Sequence, residues 1–396
     1  MNARFIQGIF DDASGRERYT RWGRNRFDPD ANTDELIAAL PEWYRYGLRA
    51  FTVGLQGGGP CFTINNDTIE NNPFGTDGTS LDAAYKARLD RLIRAADELG
   101  MVVIVSYFYG SQSRRIRDGR GIRNAVITAS RFLRKAGHTN VIIEVANEQD
   151  NPRFSQHPII QHEDGMAMLI DLAREESGGM LVGCSGNGGR AYRQICEASD
   201  VVLIHGNGQT RQQFYNLIRT ARAWSGNKPI VCNEDSQAIG QLEVCWKTHA
   251  SWGYYNNMTK QEPPAYWGVL PGEDTFFAMR MAHGIGIEMP EPAKEEQYYL
   301  QGLEPEMVYR GKRWIRLASL YPETINHVDY YRNGNLVFTS YDEPFSINFG
   351  SNWAQGPVEN CSQDEQWRAE IHLRDGSVLV KQTSVSEQQR LGRTGA

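Results

Sequence analysis

Unbroken apolar runs of strand length alternate with amphipathic helical segments from the start of this chain to about residue 285, and that alternation leaves few folds open. A strand that is apolar on both faces must be covered on both, which calls for a parallel sheet with helices packed on each side. The clearest unit begins at Leu81, where Leu81, Tyr85, Leu89, Leu92, Ile93, Ala96 and Leu99 fall at helical spacing. Gly100 supplies a stop, and a fully buried strand follows from Val102. Ile122 to Ala136, closed by Gly137, repeats the pattern and leads into the next strand. Eight strands are expected: Phe5–Ile9, Ala50–Leu55, Val102–Tyr107, Val141–Ala146, Met180–Cys184, Val201–His205, Ile230–Asn233 and Ala250–Tyr254, with a last helix at Thr275–His283. Eight such units in this length favour a closed (β/α)8 TIM barrel over an open sheet, here assigned to residues 1–304.

Near residue 305 the texture changes to short runs with turn signals at close intervals. Trp314–Leu320, His327–Tyr331, Leu336–Ser340, Phe345–Phe349, Trp367–Leu373 and Val378–Gln382 read as strands. Asn333-Gly334 and Asp375-Gly376 are the residue pairs that tight hairpins prefer. Residues 305–396 are therefore expected to form a small all-β sandwich.

Bulk properties narrow the partners. With 40% hydrophobic residues, 23% charged residues and a formal net charge of −6, the chain has the composition of a soluble globular protein. It has no basic stripe for nucleic acid. No apolar run approaches the ~18 residues of a membrane span, and no signal-peptide core follows the first charges. The expectation is a cytoplasmic protein, or a secreted or periplasmic one whose leader was removed. Oligomeric state is left open. Cys184 and Cys232 lie in strand-like runs and are expected as buried free thiols, while Cys61, Cys196, Cys245 and Cys361 follow no disulfide or metal spacing. The eight histidines include neither H-x-H nor H-E-x-x-H, so no metal and no other cofactor is expected.

Two of the apolar runs end abruptly on carboxylates: Val141–Ala146 on Asn147-Glu148, and Ile230–Asn233 on Glu234. In a parallel barrel, reacting groups sit where strands end on the helix-entry side, so these distant side chains would converge. Two glutamates in one cavity suit glycoside cleavage: one lends a proton to the leaving oxygen, the other meets the positive charge that develops at the sugar carbon. That chemistry requires the first to hold its proton and the second to stay ionised among hydrogen-bond donors. The plainer reading of either glutamate alone is a helix cap or a partner for arginine. His205, ending the neighbouring strand, is a candidate donor. Tyr107, Tyr109, Trp252, Tyr254, Tyr255 and Trp267 fall in strand-end regions where aromatic rings could stack on sugars, and Trp252 is the preferred platform. Arg16–Arg26 is the densest basic patch; it could grip an acidic sugar, although solvated loop arginines are the plainer reading. Gly186–Ala191 mimics a dinucleotide fingerprint but follows a fifth strand, and Gly54–Gly59 lacks the ending of a phosphate loop.

Asn147-Glu148 after a fourth strand and Glu234 ending a seventh resemble the signature of the clan A glycoside hydrolases, retaining enzymes on a (β/α)8 barrel. The resemblance implies Glu148 as acid/base, Glu234 as nucleophile and Asn147 as the group bonding the sugar 2-hydroxyl. Tyr107, His205, Asn207, Trp252 and Tyr254 are the further substrate-binding candidates. The cellulase-like family of the clan carries Arg on strand two, His on strand three and Tyr two residues after the strand-six His; this chain has Thr52, Tyr107 and Asn207 there, so the likeness holds for the clan and not for that family. Asp235 directly follows Glu234 and leaves a one-residue ambiguity of register. The stretch Asn326–Phe338 resembles the bacterial immunoglobulin-like modules appended to secreted glycan-degrading enzymes. The alternatives are a catalytically inactive glycan-binding barrel and a transglycosidase on the same scaffold.

Overall fold

The structure is a computed structural model that describes residues 1–19, 26–58, 68–261, 263–302, 308–309, 312–313, 315–347 and 365–384. The expected features at residues 20–25, Gly59, Cys61, Trp314, Phe349 and Cys361 lie outside the described residues. The chain forms two compact units, Met1–Asp235 with Val244–Gly268, and Ser236–Glu243 with Val269–Ala396. No described helix is long and apolar enough to cross a membrane.

The first unit is α/β. Its strands are β1 (Asn2–Arg4), β2 (Ala50–Gly54), β3 (Val102–Tyr109), β4 (Val141–Asn147), β5 (Leu181–Gly183), β6 (Val202–His205), β7 (Ile230–Glu234) and β8 (Gly253–Tyr254). Between them run α1 (Pro29–Arg45), α2 (Ala83–Glu98), α3 (Gly119–Ala136), α4 (Pro158–Gln161), α5 (Glu163–Ser177), α6 (Arg193–Ala198), α7 (Arg211–Ser225) and α8 (Gln241–Thr248), the last belonging to this unit from Val244 on, and α9 (Asn257–Lys260) follows β8. Local chemistry fixes the helix ends. Asp28, Asp82 and Asp118 cap α1, α2 and α3 by accepting from first-turn N–H groups. Gly137, at φ 79°, closes α3 in the left-handed conformation that glycine adopts without strain.

Six strands form one parallel sheet in the order β5-β4-β3-β2-β1-β8, and β6 pairs with β7, also in parallel. Backbone bonds extend this order. Cys232 donates to Ser251 O at 2.8 Å and Asp235 to Gly253 O at 3.0 Å, linking β7 to the β8 segment; Asp200 donates to Val182 O at 2.8 Å, beside β5.

Strand alternation sorts the side chains. Ile104 of β3, Ile142 of β4, Leu203 of β6 and Val231 of β7 pack into one apolar cluster. Two residues further along each strand, on the same face, stand Ser106, Glu144, His205 and Asn233. An apolar floor is thus overlaid by a polar layer towards the strand C-termini.

The first strand departs from expectation. It is Asn2–Arg4, and residues 6–9 form a turn. Asn2 and Arg4 belong to the polar layer, so the strand lacks an apolar signature; Phe5 leaves it to pack on Trp43, Phe51 and Trp267.

The second unit contains α10 (Glu273–Gly284), β9 (Tyr298–Gln301), β10 (Val308–Tyr309), β11 (Lys312–Arg313), β12 (Arg316–Ser319), β13 (Ile325–Arg332), β14 (Asn335–Ser340), β15 (Gln366–Leu373) and β16 (Val378–Ser384). The strands pair antiparallel, as a sheet ordered β14-β13-β15-β16 and the pairs β9–β12 and β10–β11. Asn333 and Gly334, at φ 50° and 81°, make the two-residue turn joining β13 to β14. Tyr298, Leu300, Leu317, Val328, Tyr330, Trp367 and Ile371 contribute to its core. Arg316 and Glu273 are buried beside it, joined by two contacts of 2.6 Å. Of the expected strand at Phe345–Phe349, the described part forms only an isolated bridge from Ser346 to Arg316.

Candidate active site

Glu148 and Glu234 meet above the polar layer, with His205 between them. His205 Nδ1 lies 3.1 Å from Glu148 Oε1 and 3.8 Å from Glu234 Oε2. The three ligand-type atoms lie within 4.8 Å of one another, so the two carboxylates face a common space. Glu148 is the more accessible, its side chain 17% exposed against 6% for Glu234.

Each carboxylate has its own setting. Glu148 sits at φ 54°, a left-handed conformation uncommon for a residue with a side chain. Its N–H donates to Ser185 Oγ at 3.1 Å, and Asn151 Nδ2 approaches Oε2 at 3.4 Å. Glu234 receives Asn207 Nδ2 on Oε1 at 2.6 Å, and Arg4 Nε lies 2.7 Å from its Oε2. A register shift between Ile204 and His205 sets His205 opposite Glu234. Consecutive residues of β7 then both reach polar partners: Asn233 donates to Glu144 and Glu234 meets Arg4.

Two residues that the sequence reading passed over complete the cluster. Arg4 is buried and also donates from Nη2 to Asn147 Oδ1 at 2.6 Å. It pairs in register with Thr52, so the guanidinium comes from the strand beside the position where the cellulase-like family carries its arginine. Burial works against the Arg4 charge, but Glu234, followed by Tyr255, Glu144 and Tyr109, raises its pKa, and the group stays cationic. Glu144, fully buried in β4, accepts from Ser185 Oγ at 2.7 Å and Asn233 Nδ2 at 3.0 Å, and lies 3.9 Å from His205 Nε2. Burial also opposes the charged form of His205. Glu234, the hydrogen bond and charge of Glu148, and Glu144 outweigh it, so the pKa is raised.

Asn147, Glu148, His205, Asn207 and Glu234 are thus brought together. Tyr107, Trp252 and Tyr254 are not among them: each is buried away from the two carboxylates. Tyr107 shares strand parity with Val103 and Val105, points to α3 and pairs with Ser130 Oγ at 3.1 Å. Tyr254 pairs with Ala3, on the face opposite Arg4; its neighbour Tyr255 carries the ring under Arg4, at 5.5 Å. Trp252 is fully enclosed, its Nε1 donating to Asp235 Oδ2 at 2.8 Å, and offers no open face for stacking. Trp267 is also buried and donates to Asn32.

The surrounding loops clarify the decoys. In the Gly186–Ala191 loop, Asn187 N–H donates to Asp150 Oδ1 and Gly189 N–H to His205 O, so these groups are occupied within the protein. A cleft of about 490 Å3 borders this loop, lined in part by Arg190, Tyr192, Gln209, Gln213 and Asn216. Arg16 makes two contacts with Asp11, at 3.0 and 2.7 Å, and Arg18 lies 3.6 Å from Asp12. Both arginines therefore already have carboxylate partners. Cys184, Cys196, Cys232 and Cys245 are buried free thiols.

No family model matches the sequence, and no curated protein matches it. Among solved structures the chain is similar to an endo-β-1,4-mannanase from Thermotoga petrophila, at 12% identity and TM-score 0.45 over 96% of each chain. It is similar to a xyloglucan-specific endo-β-1,4-glucanase from a metagenomic library, at 11% identity and TM-score 0.48, covering 72% of this chain and 96% of that one. It is also similar to an exo-β-1,4-mannosidase from Opitutaceae bacterium strain TAV5, at 17% identity and TM-score 0.42, covering 62% of this chain and 51% of that one. These likenesses are distant, and the reading of the site rests on its own chemistry.

Proposed function

We propose that this protein is a retaining glycoside hydrolase acting on an oligo- or polysaccharide, with Glu148 as acid/base and Glu234 as nucleophile. The observation that carries the reading is that these carboxylates share His205, with oxygens within 4.8 Å of one another. Retaining cleavage needs its carboxyl groups about 5–5.5 Å apart, whereas inversion needs about 6.5–9.5 Å to admit a water. The unequal settings suit unequal roles. Glu234, held by Arg4 and Asn207, is fixed for attack on the anomeric carbon. Glu148, more exposed, can protonate the departing oxygen and then activate the water that releases the sugar. Asn147, oriented by Arg4, is positioned to bond the sugar 2-hydroxyl.

The scaffold belongs to the same proposal: residues 1–304 as a closed (β/α)8 barrel, with an immunoglobulin-like sandwich over 305–396. The parallel order and the backbone links from β7 to the β8 segment support the first, the antiparallel sheets the second. The chemistry requires no cofactor.

The test is turnover of chromogenic glycosides with product stereochemistry read by NMR. Glu234→Gln is expected to abolish turnover, while Glu148→Gln spares only substrates with good leaving groups. Full activity in Glu234→Gln, or an inverted first product, would overturn the assignment.

A further inference from the structure

The outer face of the β14-β13-β15-β16 sheet carries a second cluster of chemistry-bearing side chains. In β13 and β15, Val328, Tyr330, Ala369 and Ile371 turn to the core, so alternation sends His327, Asp329 and His372 to the other face. His327 and His372 are direct cross-strand partners, and Asp329 lies two residues along β13. Their ligand atoms converge: His372 Nε2 lies 3.3 Å and His327 Nε2 3.8 Å from the same oxygen, Asp329 Oδ2. All three are partly exposed, with side chains 17–29% accessible, so an ion can reach them.

We infer that this face holds a divalent transition-metal site, best suited to zinc, with His327 Nε2, His372 Nε2 and Asp329 Oδ2 as ligands. Three features argue for a built site. Two imidazoles and one carboxylate are a borderline-soft donor set, suited to zinc rather than calcium or magnesium. Ligands about 2.0–2.1 Å from a tetrahedral ion stand roughly 3.3 Å apart; the two His–Asp separations are 3.3 and 3.8 Å, and all three ligand atoms lie within 4.8 Å of one another. Two of the three ligands also have partners behind them. Thr339 Oγ1 donates to Asp329 Oδ1, leaving Oδ2 to the imidazoles, and His327 Nδ1 is 3.4 Å from Asn326 Oδ1, which leaves Nε2 outward. The rings now stack, 4.1 Å between centroids and 10° between planes. Capture of an ion therefore requires them to turn about the Cβ–Cγ bond, a soft torsion for histidine, until their lone pairs converge. The ion would pin the two central strands of the sheet together.

The experiment is zinc binding to the full chain, stripped with chelator and measured by equilibrium dialysis at neutral pH. The parent is expected to bind one more zinc equivalent with micromolar or better affinity than His372→Ala or His327→Gln. Thr339→Val should keep the site and weaken it about 10–100-fold, as loss of an orienting partner does. Because Glu148, His205 and Glu234 could also take an ion, the difference between parent and variants is decisive, not the total. Saturating zinc should raise the Tm of the parent by roughly 5–10 °C at a hundredfold excess over Kd, and this increment should be absent in the variants. Equal stoichiometry in parent and both histidine variants, or no zinc taken up by the parent, overturns the assignment. Far-UV circular dichroism of the metal-free variants establishes folding, and His327→Gln, the milder change, decides if His372→Ala is misfolded.

Discussion

Arg4→Met tests the proposed site most directly, because one guanidinium contacts two residues assigned different roles in it. Arg4 lies 2.7 Å from Glu234 and 2.6 Å from Asn147, with about 1% of its surface exposed. Methionine fills similar space without charge. Glu234 would keep Asn207 at 2.6 Å and His205 at 3.8 Å, and Asn147 Oδ1 would lose its donor. Breaking a buried ion pair from one side costs about 3–5 kcal/mol. In a unit of this size each kcal/mol moves Tm by about 2–4 °C, so a fall of roughly 6–20 °C is expected in a calorimetric scan. Turnover should fall separately. Loss of one charged hydrogen bond of about 1.5–3 kcal/mol that aligns the proposed nucleophile corresponds to roughly 10–150-fold in kcat. Arg4→Lys should recover part of the Tm but little of the rate, since one ammonium cannot reproduce the planar fork. A methionine variant with parental Tm and parental kcat would refute the reasoning.

Three further outcomes are expected. The raised pKa of His205 means the folded state holds a proton that the unfolded state releases above about pH 6.5. Its stabilisation is therefore full below that pH and lost as pH climbs through the raised value, and urea titrations across pH should show that decline flattened in His205→Asn. Gly253→Ala would set a methyl 2.5 Å from Cys232 O and 2.7 Å from Asn2 Oδ1, so it should destabilise by about 1–3 kcal/mol in denaturant melts. In the second unit, Arg316→Met should cost about 3–5 kcal/mol by orphaning Glu273, and adding Glu273→Leu should recover most of it; a double variant no better than the single would contradict this.

Much of the first unit was legible because burial leaves a periodic trace. Strands β2, β3, β4, β6 and β7 lie close to their expected positions, and the polar residues that end β4, β6 and β7 meet in space. The first cause of the losses is the polarity of the interior above its floor. Asn2 and Arg4 face that interior and gave β1 no apolar signal, so Arg4 went unseen. Glu144 was hidden within the apolar run Val141–Ala146, where only its parity with Ile142 marks it as facing the same interior. Parity also explains Tyr107 and Tyr254, each one residue off the face that meets the site. The enclosure of Trp252 depends on Asp235, a contact that sequence spacing does not encode.

The backbone at Glu148 has an evolutionary corollary. A left-handed conformation at a glutamate sacrifices on the order of 1–2 kcal/mol that glycine or asparagine would largely return. Selection of variant libraries for heat resistance alone should drift towards those residues at position 148, and remove the proposed acid in doing so. Only a screen that couples survival to turnover would keep the glutamate in its uncomfortable posture.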